Sequence, residues 1–168
     1  MLLKIFSSPR RVWLLIALAC VGLLGFGLYL QHVVGLEPCP MCIVQRYVMV
    51  LIALVALVGA AFGSRLAAWI TGGGLLVLSL GGAYVAARQS WLQRYPPEVV
   101  SCGRDFYGMI ETFPLKRAIP MIFKGGGDCT QVDWTFLGGS IANWSFVCFV
   151  AIALAVAMVG VSTRFKQA

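Results

Sequence analysis

The sequence predicts an all-α membrane protein, a bundle of four transmembrane helices joined by a short and a long exported loop. Three observations carry that prediction. The 168 residues are 60% hydrophobic and 11% charged, whereas soluble domains run to about 25% charged. Four stretches carry no charge, and each approaches or exceeds the ~20 residues a helix needs to cross a ~30 Å hydrocarbon core. The remaining polar residues collect largely between those stretches, and four of the six cysteines lie among them.

Val12–Leu30 gives the first span, about residues 12–30, behind Lys4, Arg10 and Arg11. The run is too long for the core of a signal peptide and no small-residue cleavage site follows it, so it is read as retained. The second uncharged stretch, Tyr47–Phe62, has only 16 residues; starting it at Ile43 gives 20 and the span 43–62. Arg46 then falls in the first turn, where its long side chain reaches the interface. Leu66–Ala87 supplies the third span, 66–87, and the 30 uncharged residues Trp134–Thr163 contain the fourth, about 142–162. The whole chain, 1–168, therefore reads as a single integral membrane domain. Gly22, Gly25 and Gly27 in the first span and Gly72, Gly73, Gly74, Gly81 and Gly82 in the third are expected to let helix backbones approach closely. Trp91, Trp134 and Trp144 are expected to anchor helix ends at the interface rather than to line a cofactor site.

Four spans put both termini on one side, with the turn Gly63–Arg65. Three basic residues precede the first span and only Arg46 flanks its far side, which places the termini in the cytoplasm and the loops, about 31–42 and 88–140, outside. The net charge of +7 is then mostly inner-face charge and requires no nucleic acid partner. The long loop is too small for a core of its own and is expected to lean on the helices or the bilayer. Its middle, Phe113–Lys124, sets Leu115, Ile119, Ile122 and Phe123 near one face of a short interfacial helix, with Lys116 and Arg117 available to lipid headgroups. An irregular loop is the alternative, because Pro114 and Pro120 interrupt that helix.

Cys39 and Cys42 form Cys-Pro-Met-Cys, a spacing shared by dithiol, zinc and haem sites. Zinc would need further ligands, and His32 is the single histidine; haem attachment would need histidine where Ile43 stands. His32 itself fits a polar cap on the first span. A dithiol site remains, with distinctive surroundings. Pro38 and Pro40 disfavour helix up to Cys39, so the second helix is expected to begin at Met41 or Cys42, with its free N–H groups at the Cys42 sulfur. Thiolate is favoured there. Arg46 lies at i+4 from Cys42 on the same helix face, where a guanidinium supports that thiolate or an acceptor beside it, with lipid phosphate anchoring as the plainer role. An apolar, planar two-electron acceptor at the interface would be a quinone.

The second pair is Cys102 and Cys129. Cys102 is followed by Gly103-Arg104, and Cys129 follows Gly125-Gly126-Gly127-Asp128, so a glycine hinge precedes a sulfur that could swing toward Cys39. Arg104 favours thiolate on Cys102 and Asp128 disfavours it on Cys129. A static disulfide stapling a small loop is the competing role. Cys20 and Cys148, near the middle of the first and last spans, read as inert apolar residues.

Taken together, Gln31-His32-Val33, Pro38-Cys39-Pro40-Met41-Cys42-Ile43 with Arg46, Leu92-Gln93-Arg94-Tyr95-Pro96, Gly127-Asp128-Cys129, Trp134 and Phe136-Leu137-Gly138 resemble the DsbB family of bacterial inner-membrane enzymes. The resemblance implies a thiol:quinone oxidoreductase that reoxidises a periplasmic DsbA-like thiol oxidase. By the same resemblance, Cys102 and Cys129 exchange with that partner. Cys129 then attacks Cys39, and Cys42 with Arg46 delivers electrons to ubiquinone, or to menaquinone under anaerobic conditions. The chain departs from the family pattern at Gln45, where members often carry Glu, and at Gln89, where some carry His. A DsbI-like paralogue with another thiol partner is a close alternative. A non-catalytic four-span scaffold of tetraspanin type would have a larger second loop with Cys-Cys-Gly, and a metal-handling protein would need more ligands than Cys39 and Cys42.

Overall fold

The computed structural model describes residues 8–62, 64–96, 127–132 and 134–165. Cys102, Arg104, the 113–124 segment with Lys116 and Arg117, Lys4 and the side chain of Asp128 lie outside what is described. Four long helices dominate: α1 Pro9–His32, α2 Pro40–Ala61, α3 Arg65–Arg94 and α5 Ile141–Phe165, with one helical turn, α4 Gly127–Thr130, between α3 and α5. A two-residue hairpin, β1 Thr135–Phe136 and β2 Gly139–Ser140, leads into α5. All four long helices are long and apolar enough to cross a membrane, and the protein is an all-α, four-span membrane protein.

Local chemistry explains the helix ends. Pro9 opens α1 with its fixed φ and no N–H to satisfy. Gly35, at φ +80, turns the chain after α1, and the Leu36 N–H returns to the Leu30 carbonyl at 3.1 Å. Helix α2 starts at Pro40, one residue before the earliest expected start, because a proline restrains the residue before it while itself suiting the first helical position. Ser64 caps α3 by accepting from the Ala67 N–H at 3.2 Å. That helix continues past the uncharged stretch to Arg94, and Pro96 follows its end. Leu137 and Gly138 both have positive φ, the geometry of a tight hairpin turn between β1 and β2.

Paired contacts fix an antiparallel order. Arg10 Nε donates to the Ala60 carbonyl (2.8 Å) at one end of the α1–α2 seam, and Arg46 Nη2 to the Gly27 carbonyl (3.0 Å) at the other. Between α2 and α3 the contacts are Gly59 with Thr71 and Gln45 with Gln89. Between α3 and α5, Gly82 lies under the ring of Phe149. The main core joins Trp13, Cys20, Ile52, Leu75 and Phe149 from all four helices, while Leu15, Leu18, Ile70, Val77 and Leu154 point outward, as lipid-facing residues do.

The glycines divide differently from expectation. A methyl group at Gly82 would sit 2.5 Å from the Phe149 ring, so that glycine does permit close approach. Gly59 does the same against Thr71, although it was not among the expected positions. Gly22, Gly25, Gly73 and Gly81 face nothing within 4 Å, and their small size serves no helix contact in the described residues.

Candidate redox site

Three of the four loop cysteines converge where α2 begins. Cys39 is the N-cap of α2, and its sulfur accepts from the Cys42 N–H at 3.4 Å. Pro40 and Met41 complete the first turn, bringing Cys42 back beneath Cys39 so that Cys39 Sγ–H donates to Cys42 Sγ at 2.8 Å. Cys129, fully buried on the α4 turn, is a thiol hydrogen-bonded with Cys39. Cys39, Met41, Val85, Leu92 and Cys129 form a second, smaller apolar cluster that seats this meeting of sulfurs. The bonds to Cys129 and Cys42, and then burial, push the Cys39 thiol up from its ordinary value.

The segment bearing Cys129 is tied to α3. Gln93 Nε2 donates to the Gln131 carbonyl at 3.4 Å, and Gln93 Oε1 accepts from the Ser140 hydroxyl at 2.6 Å. Ser140 in turn accepts from the Asn143 N–H at the head of α5. One side chain therefore links the end of α3, the α4 segment and the start of α5. Its position follows from α3 running on as a helix beyond Ala87, which the uncharged stretch alone did not indicate.

Gln89 reaches the sulfurs themselves. Its Nε2 lies 3.2 Å from both Cys39 Sγ and Cys42 Sγ, and its Oε1 accepts from Gln45 Nε2 at 2.7 Å. Both amides are buried, Gln45 at 4% and Gln89 at 3% exposure. Donors aimed at a sulfur favour its anionic form. Sequence reasoning assigned neither residue a role. The available signal was the two amides themselves, Gln45 beside Arg46 and Gln89 beside Arg88, since a buried amide left unbonded costs about 1–3 kcal/mol.

Arg46 lies near Cys42 on α2 but is steered toward α1. Nη1 bonds to the Gln31 side chain and Nη2 to the Gly27 carbonyl. The guanidinium lies against Gly27, where a Cβ would be in ordinary van der Waals contact with Arg46 Nε at 3.6 Å. The guanidinium is thus fixed by two bonds, as its planar fork allows. His32 is exposed in the last turn of α1.

Arg46, Gln31, Cys39, Cys42, Gln45 and Gln89 all open onto one cavity of about 660 Å³. The rest of its wall is mostly apolar and aromatic. Trp134 and Trp144 belong to that wall. The hairpin explains this: Trp134 stacks on Phe136 with centroids 6.0 Å apart, Trp144 Nε1 donates to the Phe136 carbonyl at 2.9 Å, and both rings are held at the cavity mouth. Trp91, by contrast, packs on Tyr95 at the end of α3. Cys148 also lines the cavity, whereas Cys20 is sealed in the core. Among the described residues no group of three or more metal-ligating side chains occurs.

A cysteine pair at a helix head, a third cysteine against it and an apolar cavity behind it form an arrangement for thiol–disulfide exchange. The family model for disulfide bond formation protein DsbB matches residues 9–159, nearly the whole described chain. This chain belongs to the DsbB family. Disulfide bond formation protein B of Polaromonas sp. (strain JS666) is 76% identical over 149 residues, 88% of each chain. The protein of that name from Polaromonas naphthalenivorans (strain CJ2) is 71% identical over 155 residues, 92% of each. That from Azoarcus sp. (strain BH72) is 54% identical over 148 residues, 88% of this chain and 89% of its own. As a DsbB-family member the chain is a multi-pass membrane oxidoreductase that forms disulfide bonds.

Proposed function

We propose that the chain is a thiol:quinone oxidoreductase of the bacterial inner membrane that reoxidises a periplasmic DsbA-like dithiol oxidase. On this reading the termini are cytoplasmic and both loops are periplasmic. The observation that carries it is the contact of Cys129 with Cys39, which itself contacts Cys42 on the wall of the cavity.

Each exchange breaks one S–S bond and makes another. A thiolate of the reduced partner attacks Cys102 of the Cys102–Cys129 disulfide, and Cys129 leaves as thiolate. Cys129 then attacks Cys39 of the Cys39–Cys42 disulfide, and Cys42 leaves with the electron pair. The partner's second thiol displaces Cys102 and departs oxidised. Cys102 attacks Cys129, releasing Cys39. The balance is one new disulfide in the partner and a Cys39/Cys42 dithiol that must shed two electrons and two protons. Gln89 holds charge on the Cys42 sulfur through its N–H donors, and Cys129, bonded to Cys39, attacks without a long approach.

A bound quinone supplies the acceptor for those two electrons and two protons. The cavity suits such a ring in size, since ligand pockets run to about 300–1,000 Å³. It suits it in chemistry too, with apolar walls and a few polar groups at the sulfur end. Arg46 and Gln31 would hold a ring oxygen, and Cys42 would face the ring.

The test uses purified full-length protein, ubiquinone and a reduced periplasmic dithiol oxidase, with quinone absorbance followed over time. Turnover is expected in the native chain and in Cys20→Ala, and none in Cys42→Ser. Full turnover by Cys42→Ser, or labelling that places both loops in the cytosol, would overturn the assignment.

A further inference from the structure

Gln45 and Gln89 are joined by a feature that side-chain shape alone does not determine. A glutamine amide has nearly the same outline in both orientations, so its partners decide which end faces a given neighbour. At the sulfurs the choice has chemical weight. With N–H forward, Gln89 strengthens its bond whenever a sulfur becomes anionic, because hydrogen bonds to charged groups are about twice as strong as neutral ones. With the carbonyl forward, it would accept from S–H and hold the thiol protonated. Among the described residues, the group that fixes the orientation is Gln45 Nε2, which donates to Gln89 Oε1 at 2.7 Å. Both Gln89 N–H groups are then left for Cys39 and Cys42, each 3.2 Å away.

We propose that Gln45 is a positioning residue whose amide N–H sets the polarity of Gln89, so that Gln89 presents donors to both sulfurs and stabilises the electron-rich sulfur of the Cys39/Cys42 pair. Gln89, touching the reacting atoms, is the catalytic member; Gln45 acts through it from the adjacent helix. The proposal deepens the thiol-oxidase reading and rests on it for its purpose.

Gln45→Met carries the decision, because it removes the Gln45 N–H and adds no charge; Gln45→Glu also removes it but places a carboxylate three residues from Cys42, which raises the Cys42 midpoint by itself. Glutamate keeps the length and outline of glutamine, but an ionised carboxylate has no N–H to give. It takes the Gln89 N–H instead and turns the Gln89 carbonyl toward the sulfurs. The readout is the rate of Cys42 alkylation by iodoacetamide as a function of pH, followed by peptide mass spectrometry on the fully reduced, full-length protein in nanodiscs. Loss of a charge-assisted bond moves the midpoint upward by about one to two pH units in Gln45→Glu. Gln89→Leu moves it by a similar amount, and Gln45→Met, which frees the amide without reversing it, by less. A purely structural role would lower thermal stability in all three variants and leave the midpoints of the two uncharged variants, Gln89→Leu and Gln45→Met, in place. A midpoint unchanged within ~0.3 unit in Gln45→Met, or in Gln89→Leu should the methionine variant fail to fold, overturns the proposal. Alkylation needs no quinone and no partner, so this result stands apart from the turnover assay: a native chain that fails to oxidise the dithiol protein sinks the functional reading instead.

Discussion

Gly82 is where the position of Gln89 on α3 is most directly open to test. A methyl at that position would lie 2.5 Å from the Phe149 ring, and Phe149 is itself fully buried. Carbon atoms rest at about 3.5–4.0 Å, so Gly82→Ala is short of room by about 1 Å. Either Phe149 leaves its rotamer or α3 and α5 separate, at a cost of about 1–3 kcal/mol. Separation also displaces Gln89, two turns further along α3, and a shift of about 1 Å in a reacting constellation can cost on the order of 100-fold in rate. Thermal unfolding of detergent-solubilised protein and quinone-linked turnover should therefore fall together in Gly82→Ala. Phe149→Leu is the companion change, removing the ring that collides. The double variant should recover most of the loss, with an interaction energy of about 1–3 kcal/mol in a double-mutant cycle. Additive losses, or a Gly82→Ala protein as stable and active as the native chain, would refute the packing account.

Arg46→Ala should raise the quinone concentration needed for half-maximal rate by about 10- to 100-fold, the worth of one charge-assisted bond; an unchanged apparent affinity and rate would count against a role for Arg46 at the ring. Gln93→Leu removes the bonds to Gln131 and Ser140, together worth about 1–3 kcal/mol. In a Cys42→Ser, Cys102→Ser background the trapped Cys39–Cys129 disulfide should become easier to reduce by about 20–60 mV in a glutathione titration. The raised Cys39 thiol gives a pH signature in the reduced protein. Unfolded Cys39 loses its proton near pH 8.5 while the folded one keeps it. Its contribution is therefore complete below that pH and lost above it, so Tm should fall more steeply above pH 8.5 in the reduced native chain than in reduced Cys39→Ser.

The helices were legible because lipid imposes a simple rule: a span must be largely apolar and about 20 residues long, and four stretches of this chain are once the second is extended to Ile43. Their ends were less so. The start of α2 at Pro40 depends on one residue's φ, and the reach of α3 to Arg94 depends on packing against the α4 segment rather than on lipid. The sulfurs of Cys39, Cys42 and Cys129 stood out by spacing and by the glycines before Cys129. Gln45 and Gln89 stood out only as departures from the family pattern and not as a pair, because whether two amides on different helices face one another depends on the rotation of each helix, which only the packed bundle fixes. The place of Trp134 and Trp144 in the cavity wall was hidden for a similar reason. Tryptophan is common at membrane interfaces, and only the turn at Leu137-Gly138 folds these two back over the cavity.

The overrun of α3 past Ala87 bears on how the protein tolerates its surroundings. Gln89, Leu92 and Gln93 all stand on that extension, and it is there that the Cys129 segment is received. A helix is rigid along its axis, rising 1.5 Å per residue, so the height at which three sulfurs meet is written into backbone and not into bilayer thickness. A thinner or thicker membrane would tilt the bundle or bare its rim. It would leave the gap between one sulfur and the next as it was.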